Sequence, residues 1–145
     1  CELAPRPRPG GPPLMIGSSG PRMLEITAPH VDAWNAWFDA FGNRPAGIAP
    51  LRARVDGAAR AAGRDPAAIE RTVAVQVRLP GGRGRVQGDT AHDAIPPVEG
   101  SPADIAAMLR AFAAEGIAHV QLVMDPITLA SLDARAPVLE DLDRG

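Results

Sequence analysis

PPLMIGSSGPRML, at residues 12–24, is a short apolar run that stops in a turn of small residues and continues as a helix. The apolar run at residues 14–17 predicts a short buried strand. Pro21 suits the first position of the following helix, because the N–H that proline lacks would have no partner there. The stretch therefore predicts one β/α unit with a turn at the carboxyl end of its strand.

The turn has the composition of an anion-binding site. Gly17 and Gly20 let the backbone approach a ligand or adopt positive φ, and Ser18 and Ser19 offer hydroxyl groups. The free amides and the positive dipole end of the following helix favour a phosphate at this place. Many strand-to-helix turns contain Gly, Ser and Pro without binding a ligand, so the turn alone leaves both interpretations open.

The composition is that of one globular domain. The chain has 145 residues, of which 46% are hydrophobic and 22% charged, and its formal net charge is -2. This balance gives no electrostatic case for nucleic acid or an anionic membrane as a partner. Cys1 is the single cysteine, which excludes an internal disulfide and fits a reducing compartment. Because no apolar run approaches the ~18 residues of a membrane span, we expect a cytoplasmic protein.

The predicted elements are a strand and a helix, repeated four times. An extended, proline-rich lead at residues 1–11 precedes one domain at residues 12–145. The other strands are predicted at residues 31–35, 72–79 and 117–124, and the helices at residues 21–28, 45–62, 101–116 and from 128 onward. Connections of helix length require parallel strands with right-handed crossovers. The fold class is therefore α/β, with a parallel sheet that is covered on both faces or closed into a barrel.

Alternation along two of these strands separates an outward face from an inward face. In a barrel the outward positions pack under helices and must be apolar; they are Val73, Val75, Val77, Val120, Leu122 and Met124. The inward positions then include Gln76, Arg78, His119 and Gln121. Polar inward residues toward the carboxyl end of a strand belong at the mouth of a barrel, where ligands bind. We expect His119 to be a hydrogen-bonded interior histidine rather than a catalytic base.

The segment at residues 80–100 is rich in Gly and Pro and has no periodicity, so we predict a long loop, either a lid or a disordered segment. Asp89, His92 and Asp93 in this loop could mimic a metal site. No second His or Cys stands near them, so we predict a solvated loop and no metal. Arg78 and Asp125 are either residues of the barrel mouth or a plain ion pair. The aromatic residues at 34–41 are expected to pack in the core or in a lid.

Five motifs occur in order and with consistent spacing: PPLMIGSSGPRML at 12–24, VDAWN at 31–35, AGRDP at 62–66, GSPAD at 100–104 and HVQLVMDP at 119–126. With them the chain resembles the luciferase-like flavin-dependent monooxygenases from about residue 12 to residue 142. The resemblance implies a TIM-type (β/α)8 barrel that binds FMN, or alternatively a deazaflavin coenzyme, and oxidises a small organic substrate.

The resemblance places one site on this chain. The turn formed by Gly17, Ser18, Ser19 and Gly20 corresponds to the turn that lies beside the flavin phosphate in the family. The resemblance assigns no role to residues beyond this turn. Trp34 and Asn35 are predicted to end the next strand, where they could line either the substrate or the isoalloxazine. The catalytic residues stay unknown.

The chain departs from the family in length. A complete barrel needs ~250 residues, and 145 residues are enough for about four β/α units, the C-terminal half. The first residue is Cys and not Met, so we expect a fragment of a longer protein. A half barrel exposes two strand edges and its inner face, which favours association as a homodimer. A non-catalytic half-barrel remnant is the alternative function, and a barrel that binds a sugar phosphate is a third.

Overall fold

The computed structural model describes residues 10–84, 86–87, 90–91 and 95–144. Most of the proline-rich lead predicted at residues 1–11 therefore lies outside the described residues, and its boundary stays a prediction. The strands are β1 (Met15–Ile16), β2 (Ala33–Trp37), β3 (Glu70–Arg78), β4 (Val86–Gln87), β5 (Thr90–Ala91) and β6 (His119–Asp125). The α-helices are α1 (Pro21–Thr27), α2 (Ile48–Ala61), α3 (Pro102–Ala114), α4 (Leu129–Asp133) and α5 (Ala136–Asp143). Short 3-10 helices span Phe38–Phe41, Pro45–Gly47 and Pro66–Ala68.

A parallel sheet organises the fold. Within the described residues it has four strands in the order β1-β2-β3-β6, and each neighbouring pair runs parallel. A helix follows each of these strands in the chain, so the predicted order of four β/α units is confirmed. The carboxyl ends of the strands consequently meet at one end of the sheet, where the turn after β1 also lies.

The two faces of the sheet differ as the alternation predicts. Val73, Val75 and Val77 are fully buried and join the hydrophobic core that includes Val55 of α2 and Phe112 of α3. In register with them, Val120 and Leu122 of β6 pack against the same core. The opposite face holds the polar residues of both strands and forms the inner face of the half barrel. Burial of the valines on the helix side explains why β3 is apolar at every second position.

The bounds of β2, β3 and β6 each differ from the predicted ranges by one to two residues, and the predicted loop also contains paired segments. β2 begins at Ala33 instead of residue 31, and the carboxylate of Asp32 just before it accepts from the amide of Leu14 at 2.8 Å. The predicted loop at residues 80–100 contains an antiparallel pair, β4 with β5. Val98 also forms a parallel bridge to Val77 and so extends the sheet beside β3. These differences involve hydrogen bonds or strand pairing between two separate segments. The pattern of apolar residues within a single segment does not predict such contacts.

Beyond the end of β2, the buried side chain of Asn43 forms hydrogen bonds with the backbone of β3. Asn43 has left-handed backbone geometry, with φ of 55°, and is 1% exposed. Its Oδ1 accepts from the amide of Gln76 at 2.9 Å, and its Nδ2 donates to the carbonyl of Gln76 at 2.9 Å. The same Nδ2 donates to the carbonyl of Pro96 at 3.1 Å. The Asn43 amide thus ties three segments together where β2 has already ended.

The first turn of α3 is closed by a capping box between Ser101 and Asp104. Ser101 Oγ accepts from the amide of Asp104 at 3.2 Å, and the Asp104 carboxylate accepts from the amide of Ser101 at 2.9 Å. The hydroxyl of Ser101 also donates to this carboxylate at 2.6 Å. These hydrogen bonds, first from the side chain and then from the backbone of Ser101, lower the pKa of Asp104 from its ordinary value, while desolvation opposes them weakly.

The lowered pKa predicts a dependence of stability on pH. Because the pKa of Asp104 is lower in the folded chain than in the unfolded chain, the carboxylate stabilises the fold above its ordinary pKa. This contribution should be lost as the pH falls through the lowered pKa. We expect Asp104→Asn to destabilise the chain at pH 7 and to have less effect at pH 3, measured by urea unfolding. An equal effect of the substitution at both pH values would contradict this prediction.

Candidate functional site

The four residues predicted to bind an anion lie together in one turn at the carboxyl end of β1. The indole Nε1 of Trp34 donates to the carbonyl of Ser18 at 3.0 Å, which fixes the turn to β2. The amide of Gly20 donates to Ser18 Oγ at 3.3 Å within the turn. The turn is therefore held in shape by a buried side chain from the neighbouring strand and by a bond of its own.

The glycines of the turn leave space above the backbone. Neither Gly17 nor Gly20 has positive φ, so the structure excludes that reason for glycine at both positions. A Cβ added at Gly17 would meet no atom within 4 Å, and one added at Gly20 would meet Ser18 Oγ at 3.8 Å. A ligand can consequently approach the backbone at Gly17 as closely as van der Waals contact allows.

The helix that follows the turn begins without a side-chain cap. Gly20 is the N-cap of α1 and makes no capping hydrogen bond through a side chain, and Pro21 occupies the first turn as predicted. The amides at the start of α1 are therefore free to meet an anion. Ser19 faces away from the inner face, since it lines a groove of about 820 Å³ between α1 and α2 together with Leu24, Ala58 and other residues of these helices. The two serines of the turn thus lie in different surroundings.

Arg78 and Asp125 lie at the same end of the sheet, where β3 and β6 stop. They are partners in the strand register, but the described residues show no ion pair between them. Asp125 instead accepts from the amide of Gly84 at 2.8 Å. A Cβ at Gly82 would lie 2.6 Å from the Asp125 carbonyl oxygen and 3.0 Å from Arg78 Cγ, so only glycine fits in this turn. Of the two interpretations, the structure supports residues of the mouth and excludes the plain ion pair.

The inner face of the sheet is polar, as predicted. The Nδ2 of Asn35 donates to Gln121 Oε1 at 2.7 Å, which joins β2 and β6 across β3. Three buried atoms on this face have no hydrogen-bond partner within the described chain: Asn35 Oδ1, Gln76 Oε1 and Arg78 Nε. Buried polar atoms are nearly always hydrogen-bonded in complete proteins. These three atoms are therefore exceptions, since they are shielded from solvent within the described chain and still have no partner there.

The prediction for His119 is wrong. His119 is the first residue of β6, so it lies at the amino end of the sheet, away from the mouth, and it is exposed. Its imidazole makes no hydrogen bond to the part of the chain that the structure describes. The alternation assigned its face correctly, but the position of the strand start, two residues later than predicted, decides its exposure.

The aromatic segment divides between the core and the inner face. Trp34, Phe38 and Phe41 are buried as predicted, whereas Trp37 at the end of β2 is 36% exposed. Register places Trp37 on the same face as Asn35. Trp37 was a missed residue of the site, and the signal that could have found it is the two-residue period that it shares with Asn35.

No group of three His, Cys, Asp or Glu side chains that could hold a metal ion occurs among the described residues. Asp89, His92 and Asp93 lie outside them, so the interpretation of a solvated loop stays a prediction. None of the helices formed by the described residues is long and apolar enough to span a membrane.

A family comparison decides the relationship of the chain. The model of the luciferase-like monooxygenase family matches residues 1–80, more than half of the 145 residues. The chain belongs to the luciferase-like monooxygenase family. The matched range includes the turn at Gly17 to Gly20, β2 and all of β3. No functionally curated protein matches this luciferase-like chain.

Solved structures agree with the family fold. An F420-dependent secondary alcohol dehydrogenase in complex with an F420-acetone adduct matches with a TM-score of 0.66 and 15% identity, over 90% of this chain and 48% of its own. The coenzyme F420-dependent tetrahydromethanopterin reductase from Methanopyrus kandleri gives 0.63 and 14%, over 91% and 50%. A long-chain alkane monooxygenase gives 0.64 and 14%, over 97% and 43%.

The luciferase-like chain spans about half the length of these relatives. The identities are low, so the matches establish the fold alone. They confirm the TIM-barrel class, with four of the β/α units of such a barrel present.

Proposed function

We propose that this chain carries the flavin-phosphate part of a flavin-dependent oxidoreductase site and that its whole protein oxidises a small organic substrate. The observation that carries the proposal is the turn of Gly17, Ser18, Ser19 and Gly20 at the carboxyl end of β1. Its shape is fixed by Trp34, and a ligand has open space at Gly17. Membership in the luciferase-like monooxygenase family supports the assignment of a flavin to this turn.

The cofactor is proposed as FMN, with a deazaflavin coenzyme as the alternative. Two of the structural relatives are F420-dependent by their names, and a third is named a long-chain alkane monooxygenase. Both classes of cofactor carry a phosphate on the side chain of the ring system, so the turn suits either one. The bound flavin supplies the redox chemistry, and the protein supplies binding, orientation and a dry surrounding.

The residues of this chain have distinct proposed roles. The amides of Gly17, Ser18 and Ser19 hold the phosphate, while the amide of Gly20 donates to Ser18 Oγ and helps to fix the shape of the turn. Trp37 offers an aromatic surface on the inner face. A single cysteine in 145 residues supports a cytoplasmic location as part of the proposal.

Titration of the chain with FMN, and separately with the oxidised deazaflavin coenzyme, tests the proposal. Fluorescence anisotropy of the flavin measures binding directly and requires no substrate or reductant. We expect one of the two cofactors to bind with saturation. If neither binds to the chain or to a longer protein that contains it, the flavin proposal is wrong and the non-catalytic remnant is the better description.

Gly17→Ala is the sharpest variant for this site. The added methyl group meets no protein atom within 4 Å, so folding should be unaffected, but the methyl group occupies the space proposed for the phosphate. We expect about tenfold weaker flavin binding, equivalent to ~1.4 kcal/mol, with an unchanged melting temperature. Gly57→Ala is the matched control, because it adds the same group on α2 without a protein contact within 4 Å. Equal affinities of both variants and the natural chain would place the phosphate elsewhere.

A further inference from the structure

The groove of about 820 Å³ between α1 and α2 begins beside the candidate site. Ser19, the turn residue just before α1, lines it at one end, and Pro29, just after α1, lines it at the other. The most buried of its lining residues is Leu24, which is 4% exposed. Both walls belong to this chain, because α1 and α2 follow the neighbouring strands β1 and β2. The groove therefore leads away from the proposed phosphate turn.

Small side chains on α2 keep the groove open. Ala53, Gly57 and Ala61 line it at intervals of four residues, so they lie on one face of the helix. None of the three carries more than a methyl group, whereas neighbouring helices normally fill the space between them with side chains. The volume lies within the roughly 300–1,000 Å³ of small-molecule sites. The stretch of α2 from Ala53 to Ala61 is about 12 Å long, the length of an extended chain of about three to four residues.

One cation and one anion stand at the groove. Arg54 of α2 and Glu25 of α1 both line it, and both are exposed. Neither side chain makes a hydrogen bond or an ion pair with the residues that the structure describes. Two other charged residues of α2, Arg52 and Asp56, are both ion-paired. A ligand in the groove would therefore meet an unpaired guanidinium and an unpaired carboxylate beside an apolar interior.

We propose that this groove binds the part of the cofactor that lies beyond the phosphate, and that the cofactor is the deazaflavin coenzyme. FMN ends at its phosphate. In the deazaflavin coenzyme the phosphate is a diester, which continues as a peptide-like tail with carboxylates. The inference rests on the proposed flavin-phosphate turn, because a phosphate held at Gly17 to Ser19 directs the tail toward the Ser19 end of the groove.

The groups along the groove match such a tail. The guanidinium of Arg54 forms a charge-assisted hydrogen bond with a tail carboxylate. The carboxylate of Glu25 accepts from an amide of the tail, and Leu24 and Ala58 contact its methylene groups. The two charged side chains are exposed, so each contributes modestly. FMN reaches none of these groups, so the groove favours the deazaflavin of the two cofactors.

Two ligands that differ only in the tail test the proposal. We would titrate the chain with the oxidised deazaflavin coenzyme and with the same deazaflavin shortened to its terminal phosphate monoester, and measure fluorescence anisotropy. We expect the full coenzyme to bind about tenfold more tightly. Equal affinities would overturn the proposal, and they are also expected if another protein segment occupies the groove. A chain that binds neither ligand and no FMN contradicts the proposed function itself.

Two substitutions in α2 locate the tail. Arg54→Gln should weaken binding of the full coenzyme about fivefold and leave the shortened ligand unaffected. Arg60→Gln is its matched control, since Arg60 is an exposed residue of α2 that does not line the groove. Ala53→Phe places a large side chain in the groove and should lower the affinity for the full coenzyme to that for the shortened one. Ala49→Phe is the control at an exposed position outside the groove.

The comparison of these variants decides the assignment. Equal effects of Arg54→Gln and Arg60→Gln, or a loss of the shortened ligand in Ala53→Phe, would overturn the tail site. Circular dichroism shows whether each variant is folded, and the charge variant keeps the test valid if Ala53→Phe does not fold. The Gly57→Ala control of the phosphate site is measured with FMN, which ends at its phosphate and does not enter the groove.

Discussion

Replacing Gly47 with Ala should lower the free energy of unfolding by about 3 kcal/mol or more. A Cβ at this position would lie 2.0 Å from the carbonyl oxygen of Phe41 and 2.8 Å from its carbonyl carbon. These are backbone atoms at the end of the 3-10 helix Phe38–Phe41, so they cannot rotate away as a side chain would. Relief requires the helix to shift, which disturbs the edge-to-face contact between Phe41 and Phe112 at 5.7 Å.

The control for this prediction is the same substitution ten residues later. A Cβ at Gly57 meets no atom within 4 Å, and Gly57 lies in the interior of α2. Alanine is the better helix former, so Gly57→Ala should raise the free energy of unfolding by about 0.5–1 kcal/mol. Urea unfolding of both variants measures the two effects. Similar stabilities of the two variants would show that the segment at Gly47 adapts without cost.

Replacing Asn43 with Gly should cost about 3 kcal/mol, because three buried hydrogen bonds are lost at roughly 1 kcal/mol each. The substitution leaves the amide of Gln76 and the carbonyl of Pro96 without the Asn43 side chain, whereas the carbonyl of Gln76 keeps the amide of Val98 as a donor at 2.8 Å. Glycine adopts the left-handed conformation of this position freely, so the Gly variant loses the hydrogen bonds and packing of the Asn43 side chain without added backbone strain.

Asn43→Ala loses the same hydrogen bonds and adds backbone strain. At φ of 55° an alanine costs roughly 1 kcal/mol more than glycine. We therefore expect the Ala variant to be less stable than the Gly variant, with both far below the natural chain in urea unfolding. The reverse order of the two variants would mean that the backbone at this position relaxes to negative φ when the side chain is removed.

Local patterns were sufficient for most of the secondary structure. β3 and β6 follow from alternation of apolar residues, since each of their faces meets a different environment. The start of α3 follows from the Ser101-Pro102 pair, because a capping residue and a proline at the first turn act within one short segment. The turn at Gly17 to Gly20 could be located for the same reason, since its four residues are consecutive.

Features that depend on distant segments could not be predicted. The hydrogen bond between Asn35 and Gln121 joins residues 86 positions apart, and the close approach of Gly82 to Asp125 joins a loop to the end of β6. The burial of Arg135 also could not be predicted from the sequence. Its side chain is buried without a hydrogen-bond partner in the described chain, and this burial lowers its pKa. A long charged side chain is expected at the surface from sequence, and only packing between helices reveals that it is covered.

The hydrogen bond from Trp34 to the Ser18 carbonyl has a practical consequence. The chain has two tryptophans, of which Trp34 is 1% exposed and Trp37 is 36% exposed. A collisional quencher such as acrylamide reaches the second indole and spares the first, so their emission can be separated without labelling. Because the buried indole is bonded to the turn itself, its emission spectrum is an intrinsic optical reporter of whatever occupies that turn.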